Sequence, residues 1–200
     1  MKTSERSRPG RNELAVLLVL AVVIALVVKT FLLQAFYIKS VSMLPTLQEG
    51  NRVLVEKISY RLGEPARGDI VVFGRAFPDD DVVDDSLWTD VGDAFRGLLG
   101  MPNRGHEDVV KRVIAVAGDR VEGRDGGVFV NGDEVEEPYL DAEDATVDFP
   151  PMTVPDDEIF VLGDNRDRSQ DSRAFGPIEV DDIVGKAILL IWPPAHLRPI

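Results

Sequence analysis

The chain has 200 residues, 44% of them apolar, which suffices for one domain of ordinary size with a hydrophobic core and a short additional segment. It contains no cysteine, which excludes disulfides, thiol nucleophiles and thiolate metal sites, and only two histidines, which argues against a multi-histidine metal centre. The formal net charge of −13 argues against nucleic acid as a partner, because the phosphate backbone would repel most of the surface.

The first predicted element is a membrane anchor. Residues 14–28 carry no charge, and after Lys29 the apolar character continues to Ile38. A bilayer core needs about 20 apolar residues of helix, so we predict a transmembrane helix over residues 14–36, with Lys29 reaching outward to the interface. The alternative is a cleaved signal peptide, but its apolar part would be shorter, and no clear small-residue cleavage site follows.

The charges on either side of this predicted helix indicate its orientation. Residues 1–13 carry four basic and two acidic side chains, whereas the rest of the chain holds 18 basic and 33 acidic ones. Because basic flanks stay on the cytoplasmic side, we predict that residues 1–13 form a cytoplasmic tail and that residues 37–200 are exported. The chain would then be a single-pass protein of the cell (plasma) membrane, in contact with the lipid bilayer.

The exported part has the pattern of a mainly β domain with antiparallel strands. Short β-branched runs alternate with Gly, Asp, Asn and Pro, as is typical of all-β folds. GRDGG, residues 123–127, predicts a hairpin turn between two strands. The predicted strand regions are residues 51–58, 68–73, 109–118, 119–132, 158–165 and 182–192.

Two stretches break this pattern. An acidic insert, residues 77–107, has seven aspartates between residues 79 and 93, and from residue 87 onward it has apolar residues at helical spacing. It predicts an amphipathic helix that packs on its own domain or, alternatively, one that lies on a membrane or binds a partner. The second stretch, residues 133–155, is acidic and interrupted by prolines, and it predicts a long surface loop between strands.

Two serines just beyond the predicted anchor are candidate nucleophiles. In an extended segment, alternation places Ser40 and Ser42 on the same face. Pro45 fixes its own φ angle and stiffens the segment that presents the hydroxyls. Taken alone, the segment is more simply explained as an ordinary turn that contains serines by chance.

A serine needs a neighbouring base to become a nucleophile. His106 lies in a charged loop and His196 near the end of the chain, so lysine is the other option. Burial must then lower its pKa from about 10.4. Alternation in the strand of residues 109–118 directs Lys111 into an apolar layer and Arg112 to the opposite face, where it can stay in solvent. The alternative is that Lys111 faces solvent from an edge strand.

The most polar stretch is GDNRDRSQDSRAFG, residues 163–176, which follows an apolar strand. Residues 164–173 include three aspartates, three arginines, two serines and an asparagine. One interpretation is a solvated loop whose surface ion pairs contribute little to stability. The other is a charge-paired scaffold that holds a site rigid.

Four stretches, in this order, resemble the bacterial type I signal peptidases, membrane-bound leader peptidases that use a serine and lysine dyad. SMLPTL resembles the nucleophile box of that family, RGDIVVF its second strand box, KRVIAVAGD its lysine box and GDNRDRSQDSRAFG its C-terminal signature. Any one of these would be weak evidence, but four ordered boxes are specific. One departure is Arg168, where the family usually has Asn, and it is expected to add only a surface charge.

The resemblance implies roles for individual residues. Ser42 is the nucleophile, Lys111 the general base, the Ser42 backbone N–H and the Ser40 hydroxyl the oxyanion hole, and Ser169 a hydrogen-bond partner that orients the lysine. Neither a metal nor a cofactor is needed. The residues implied to be structural are Pro45, Gly163, Asp164, Asn165, Arg166, Asp167, Asp171 and Arg173.

The resemblance therefore implies a membrane-bound serine endopeptidase that removes signal peptides from exported preproteins after small residues. A rival within enzymes is a self-cleaving repressor of the serine and lysine type, but the anchor and the lack of a DNA-binding segment oppose it. A rival from another class is an anchored, inactive β domain that only binds partners, and it would be expected to lack Ser42 or Lys111. The sequence carries no signal for an oligomeric state.

Overall fold

The fold is taken from a computed structural model that describes residues 13, 16–23, 32–75, 107–140 and 145–200. Residues 16–23 are helical, and their large apolar side chains are exposed. No helix among the residues described is both long and apolar enough to cross a membrane. Much of the predicted anchor, and all but the last residue of the acidic insert, lie outside the described residues.

The described chain contains twelve β-strands, and every pairing between them is antiparallel. The strands are β1 (Leu33–Tyr37), β2 (Arg52–Glu56), β3 (Ile70–Arg75), β4 (Glu107–Val116), β5 (Arg120–Arg124), β6 (Gly127–Val130), β7 (Asp133–Glu134), β8 (Phe149–Thr153), β9 (Glu158–Leu162), β10 (Ile178–Glu179), β11 (Ile183–Trp192) and β12 (Arg198–Pro199). Short α-helices span Ser59–Leu62 and Ser172–Phe175, and 3-10 turns span Arg166–Arg168, Val180–Asp182 and Pro194–His196.

The strands form two sheets. The large sheet has the order β1-β2-β11-β3-β4-β9-β10, with β12 added alongside β11, and the small sheet has the order β7-β6-β5-β8. All six predicted strand regions contain strands, so the mainly β, antiparallel prediction is confirmed. The predicted hairpin joins β5 to β6 through Asp125 and Gly126, whose φ angles of 54° and 84° are the positive values that a two-residue hairpin loop needs to match the right-handed twist of its strands.

Two boundaries predicted from the sequence are wrong. The predicted helix was extended to residue 36, but β1 begins at Leu33, pairs with β2 and buries Phe36 in the core. The apolar residues of β1 directly continue the apolar run before them, so hydrophobicity alone does not separate the two. Likewise, residues 133–155 are not one loop, because they contain β7 and β8. Two prolines make β8 an unusual strand, and it is tolerated at the edge of the small sheet.

Packing against the large sheet fixes the segment that carries the two serines. Met43 and Leu47 are fully buried in a cluster with residues of β1, β2, β3 and β11. Burial of each such side chain contributes about 1.5 to 3 kcal/mol. A second cluster lies between the small sheet and the face of β4 and β9, and a third covers the opposite face of these two strands. Strand β4 is therefore enclosed on both sides.

Candidate active site

Ser42 lies in a tight turn whose two ends are held by the sheet. The turn is closed by hydrogen bonds from Leu44 N to Val41 O (3.2 Å) and from Leu47 N to Met43 O (2.8 Å). Ser42 itself is buried, and its Oγ lies 3.1 Å from that of Ser40. The predicted proximity of the two hydroxyls is thus confirmed. Pro45 is exposed in this turn and follows a cis peptide bond.

Lys111 is directed into the protein interior from β4, as alternation predicted. Its side chain is buried, with 3% of the residue exposed, and its Nζ lies 2.7 Å from Ser42 Oγ. Burial lowers the pKa of Lys111 from 10.5 to about 8. Asp171 and Asp164 oppose this shift, and Arg173 adds to it. A substantial fraction of the amine is therefore neutral at mildly alkaline pH.

This geometry permits proton transfer between the two groups. A neutral lysine has a lone pair, so the Ser42 hydroxyl can donate a proton to Nζ across the same 2.7 Å contact. The loss of that proton leaves Oγ as a nucleophile, and the Ser40 hydroxyl lies next to it as a second donor. The two serine hydroxyls and the lysine amine therefore come from two short segments, with Ser42 and Lys111 69 residues apart in the chain.

Arg112 does not face solvent, so that prediction is wrong. The guanidinium donates to both carboxylate oxygens of Asp164, at 2.8 and 2.7 Å, and to the carbonyl of Gly68 at 3.0 Å. It also lies 3.8 Å from the centre of the Tyr139 ring. The reason is that β4 is covered on both faces here, so alternation along the strand does not separate a wet from a dry side.

Three charged residues of the polar stretch 163–176, Asp164, Arg166 and Asp171, are buried, which favours the scaffold interpretation over a solvated loop. Asp171 binds Arg173 through both carboxylate oxygens, at 2.8 and 2.9 Å, and accepts a bond from the Gly163 N–H at 3.1 Å. Arg166 is also buried and paired with an acidic residue, Glu137. In contrast, Asp167 and Arg168 are exposed, as expected for the added surface charge of Arg168.

Residues 163–165, at the start of this stretch, contact the turn that carries Ser42 and hold it in place. Asn165 donates from its backbone N–H to Ser42 O (3.0 Å) and from its side-chain Nδ2 to Val41 O (3.1 Å). Thr46 donates to the carboxylate of Asp164. Gly163 has to be glycine because a Cβ there would overlap both Ser169 and the carbonyl oxygen of Ser42.

Ser169 does not make the hydrogen bond to Lys111 that the resemblance implies. Its Oγ is buried but has no hydrogen-bond partner among the described residues. The side chain packs against Gly163 instead, where the missing Cβ leaves room for it. The Lys111 amine donates a hydrogen bond to Ser42.

Three residues that support this scaffold were missed because they lie in the stretch taken for a surface loop. Glu137 accepts hydrogen bonds from both terminal nitrogens of Arg166, and it also accepts one from the Tyr139 hydroxyl at 2.7 Å. Thr146 contacts Arg166 as well. Nothing local distinguishes Glu137 from the many other acidic residues around it, so only the fold identifies it.

The Arg112–Asp164 pair gives a test of stability. We expect Asp164→Asn to destabilise the protein by about 3 to 5 kcal/mol, because a buried guanidinium loses its counter-charge while the side-chain shape is kept. For a chain of this size, that corresponds to a fall in Tm of about 10 °C. Thermal unfolding followed by circular dichroism measures the change. Asp167→Asn, the same substitution at an exposed position three residues further along the chain, is the matched control, and equal shifts in both variants would contradict the prediction.

Among the residues that the structure describes, no group of three or more His, Asp or Glu side chains is placed to hold a metal ion.

Comparison with known proteins identifies relatives of the chain. A family model described as signal peptidase, peptidase S26, matches residues 11–192. The chain is 38% identical to signal peptidase I of Mycobacterium tuberculosis, covering 98% of this chain and 78% of that protein. It is 39% identical to a probable signal peptidase I-2 of Synechocystis, covering 96% and 79%. A crystal structure of a signal peptidase I from Enterococcus faecalis is 31% identical over 62% of this chain and 96% of that one, with a TM-score of 0.42.

Proposed function

The chain belongs to the signal peptidase family, peptidase S26, and we propose that it uses Ser42 as the nucleophile and Lys111 as the general base of the family's reaction. It is a serine endopeptidase with the function of signal peptidase I, and its substrates are the signal peptides of preproteins. The observation that supports the assignment of roles is the 2.7 Å contact between Lys111 Nζ and Ser42 Oγ in the protein interior.

In the proposed acylation step, neutral Lys111 takes the proton of the Ser42 hydroxyl while Oγ attacks the scissile carbonyl carbon. Lys111, now an ammonium group, returns the proton to the leaving amine as the C–N bond breaks. The signal peptide then remains bound to Ser42 as an ester. In deacylation, Lys111 takes a proton from water, hydroxide attacks the ester carbonyl and Ser42 recovers its proton.

The negative charge that develops on the carbonyl oxygen needs hydrogen-bond donors. We assign these to the backbone N–H of Ser42 and to the hydroxyl of Ser40. The 3.1 Å distance between the two serine oxygens supports this role, because it places the Ser40 hydroxyl next to the carbon that Ser42 would attack. Such donors typically contribute a factor of about 10² to 10³ each to the rate.

The ion pairs around Lys111 limit how strongly the nearby carboxylates stabilise the charged form of its amine. Asp171 and Asp164 both favour the charged form of the lysine, but each is paired with an arginine. Because the paired guanidinium groups offset much of the carboxylate charge, burial dominates, and the pKa of Lys111 is lowered to about 8. The scaffold thus contributes to the base as well as to the position of the nucleophile.

Signal peptidases are membrane-associated, and we propose that this chain is a single-pass protein of the plasma membrane, with a cytoplasmic N-terminal tail and an extracytoplasmic catalytic domain. Because strand β1 begins at Leu33, we propose that the span covers residues 14 to about 32. The exposed apolar side chains of residues 16–23 support contact with the lipid bilayer. Ser42 lies about ten residues beyond the span, or at most about 33 Å away.

That distance suits the proposed substrate. A secretory signal peptide has its cleavage site, with small residues, just beyond its own apolar segment. Enzyme and substrate are therefore both held by the bilayer, with their reacting groups near its outer surface. Membrane attachment would raise the local concentration of the substrate without requiring a large binding surface on the catalytic domain.

The test of this function is cleavage of a preprotein by the purified full chain in detergent micelles. We expect a mature product whose N-terminus, determined by mass spectrometry, follows a small residue. A preprotein with tryptophan in place of that residue is the matched control substrate and should stay uncut. A precursor that remains intact, or is cut equally well in both forms, would contradict the proposal.

A further inference from the structure

We propose that Asn165 is a positioning residue for the oxyanion hole. It holds the peptide group between Val41 and Ser42 in the orientation that points the Ser42 N–H at the developing negative charge. This inference rests on the proposed role of Ser42 as the nucleophile. It assigns a specific task to a residue that the sequence marks only as part of a structural signature.

The first argument is that Asn165 binds both peptide groups that flank the Cα of Ser42. Its Nδ2 donates to the carbonyl oxygen of Val41 at 3.1 Å, in the peptide group that precedes Ser42. Its own backbone N–H donates to the carbonyl oxygen of Ser42 at 3.0 Å, in the peptide group that follows. One residue thus limits rotation on both sides of the nucleophile.

The second argument comes from the geometry of a trans peptide. Its C=O and N–H bonds point in opposite directions, and the two cis bonds of the described chain lie elsewhere, at Pro45 and Pro193. When the Val41 carbonyl points at Asn165, the Ser42 N–H of the same peptide must point away from it. An oxyanion donor has to lie about 2.7 to 3.1 Å from the oxygen it stabilises, so even a modest rotation of this peptide weakens it.

The third argument is that Asn165 links the peptide group between Val41 and Ser42 to β4, the strand that carries the proposed base. The Val41 carbonyl also accepts a bond from Leu44 N at 3.2 Å, but that bond lies within the turn and moves with it. Asn165, in contrast, follows Asp164, which is locked to Arg112 on β4. Arg112 is the neighbour of Lys111, so the base and the oxyanion peptide are both positioned relative to the same strand.

A purely structural role for Asn165 predicts different kinetics. If Asn165 only stabilised the turn, its loss would also disturb the contact between Ser42 and Lys111, and the pH dependence of the reaction would change. If it orients the oxyanion donor, its loss weakens an interaction made in the transition state. In that case kcat falls, whereas KM and the pH profile stay the same.

The experiment compares wild type, Asn165→Ala, Asn131→Ala and Ser42→Ala as full chains in detergent with a preprotein substrate. For Asn165→Ala we expect kcat to fall about 10- to 50-fold, less than the loss of a whole oxyanion donor because the bond from Leu44 remains. KM should stay within about twofold, and the pH at half-maximal rate should not move. Asn131 also binds with its side chain, accepting from the Arg120 N–H and donating to Asp119 rather than to the Ser42 turn, so Asn131→Ala should lower Tm while keeping the wild-type kcat.

The outcomes separate this inference from the proposed function. If Ser42→Ala cleaves like wild type, the proposed nucleophile itself is wrong. If Ser42→Ala is inactive but Asn165→Ala keeps the wild-type kcat, or its loss appears in KM or in a shifted pH profile, only the role of Asn165 is wrong. Should Asn165→Ala not fold, Asn165→Ser, which keeps a shorter donor, is measured by the same criteria and expected to show a smaller fall in kcat.

Discussion

Replacement of Ser42 with alanine is expected to abolish cleavage, lowering kcat by about 10⁴- to 10⁶-fold, the range seen when a serine peptidase loses its nucleophile. Without Oγ, no ester with the signal peptide can form. The residual rate would come only from donors that still polarise the scissile carbonyl. The measurement is the rate at which mature product appears from a preprotein, with enzyme in excess so that slow turnover is detected.

The matched control for this prediction is Ser59→Ala. Ser59 lies in the short helix between β2 and β3 and contacts Glu56 rather than the residues of the site. We expect its kcat to stay within about twofold of wild type. If Ser42→Ala retained a substantial fraction of the wild-type rate while its fold is intact, another nucleophile would have to be sought.

The second large effect is expected at the base. Lys111→Met keeps an unbranched side chain of similar length in the apolar layer but cannot accept a proton. The kcat should fall by about 10² to 10⁴, the usual contribution of a general base. Because the side chain is apolar and well matched in size, the variant should fold, which circular dichroism can verify. A Lys111→Met enzyme with unchanged kcat would rule out the proposed base.

The pH dependence of the wild-type enzyme provides an independent test of Lys111. The base acts in its neutral form, and its pKa is about 8, so activity should rise with pH and reach half its maximum near pH 8. Below that, each pH unit should lower the rate about tenfold, because the neutral fraction of the amine falls by that factor. A rate that stays constant from pH 8 to pH 6 would contradict the assignment.

The control for the pH profile is another lysine. Lys186→Met removes an amine that is partly exposed and paired with Asp69 at 2.6 Å. Its loss should leave the midpoint of the profile where it is in wild type. If Lys186→Met shifted the midpoint of the profile, the pH dependence would not report on Lys111 alone.

Stability should follow the same titration with a defined sign. The pKa of Lys111 is lower in the folded than in the unfolded chain, so between about pH 8 and 10.5 the unfolded chain binds more protons at this site. The contribution of Lys111 to stability therefore improves as pH rises through that window. Below the window, the buried amine is charged, and its desolvation lowers the free energy of unfolding.

Local patterns predicted those features of the site that depend on one strand or one turn. The burial of Lys111, the proximity of Ser40 and Ser42 and the hairpin at residues 125–126 all follow from alternation or turn chemistry, which act over a few residues. Arg112 shows the limit of this reasoning. Its surroundings are set by Asp164 and Tyr139, and no local pattern places an arginine next to groups that distant in the chain.

The same limit explains the errors at β1 and β8. Strand β1 is apolar enough to continue the preceding run, and only pairing with β2 makes it a strand. Strand β8 contains two prolines and exists because β5 offers it an edge. In both cases the partner strand decides the structure. For Ser169 the resemblance named a hydrogen bond, but the packing against Gly163 decides where the hydroxyl lies.

The hydrogen bonds to the Ser42 turn also determine when, during synthesis, the enzyme can become active. The turn is contacted by Lys111, then by Asn165 and finally by Arg198, which donates to Thr46 O at 2.9 Å. A chain that is synthesised from its N-terminus thus contains the proposed nucleophile, Ser42, before the proposed base, Lys111. It contains both of them before Asn165 and Arg198, which hold the Ser42 turn in place. Such long-range contacts form late. We therefore expect the nascent peptidase to be inert towards neighbouring chains until its C-terminal strands have joined the sheet.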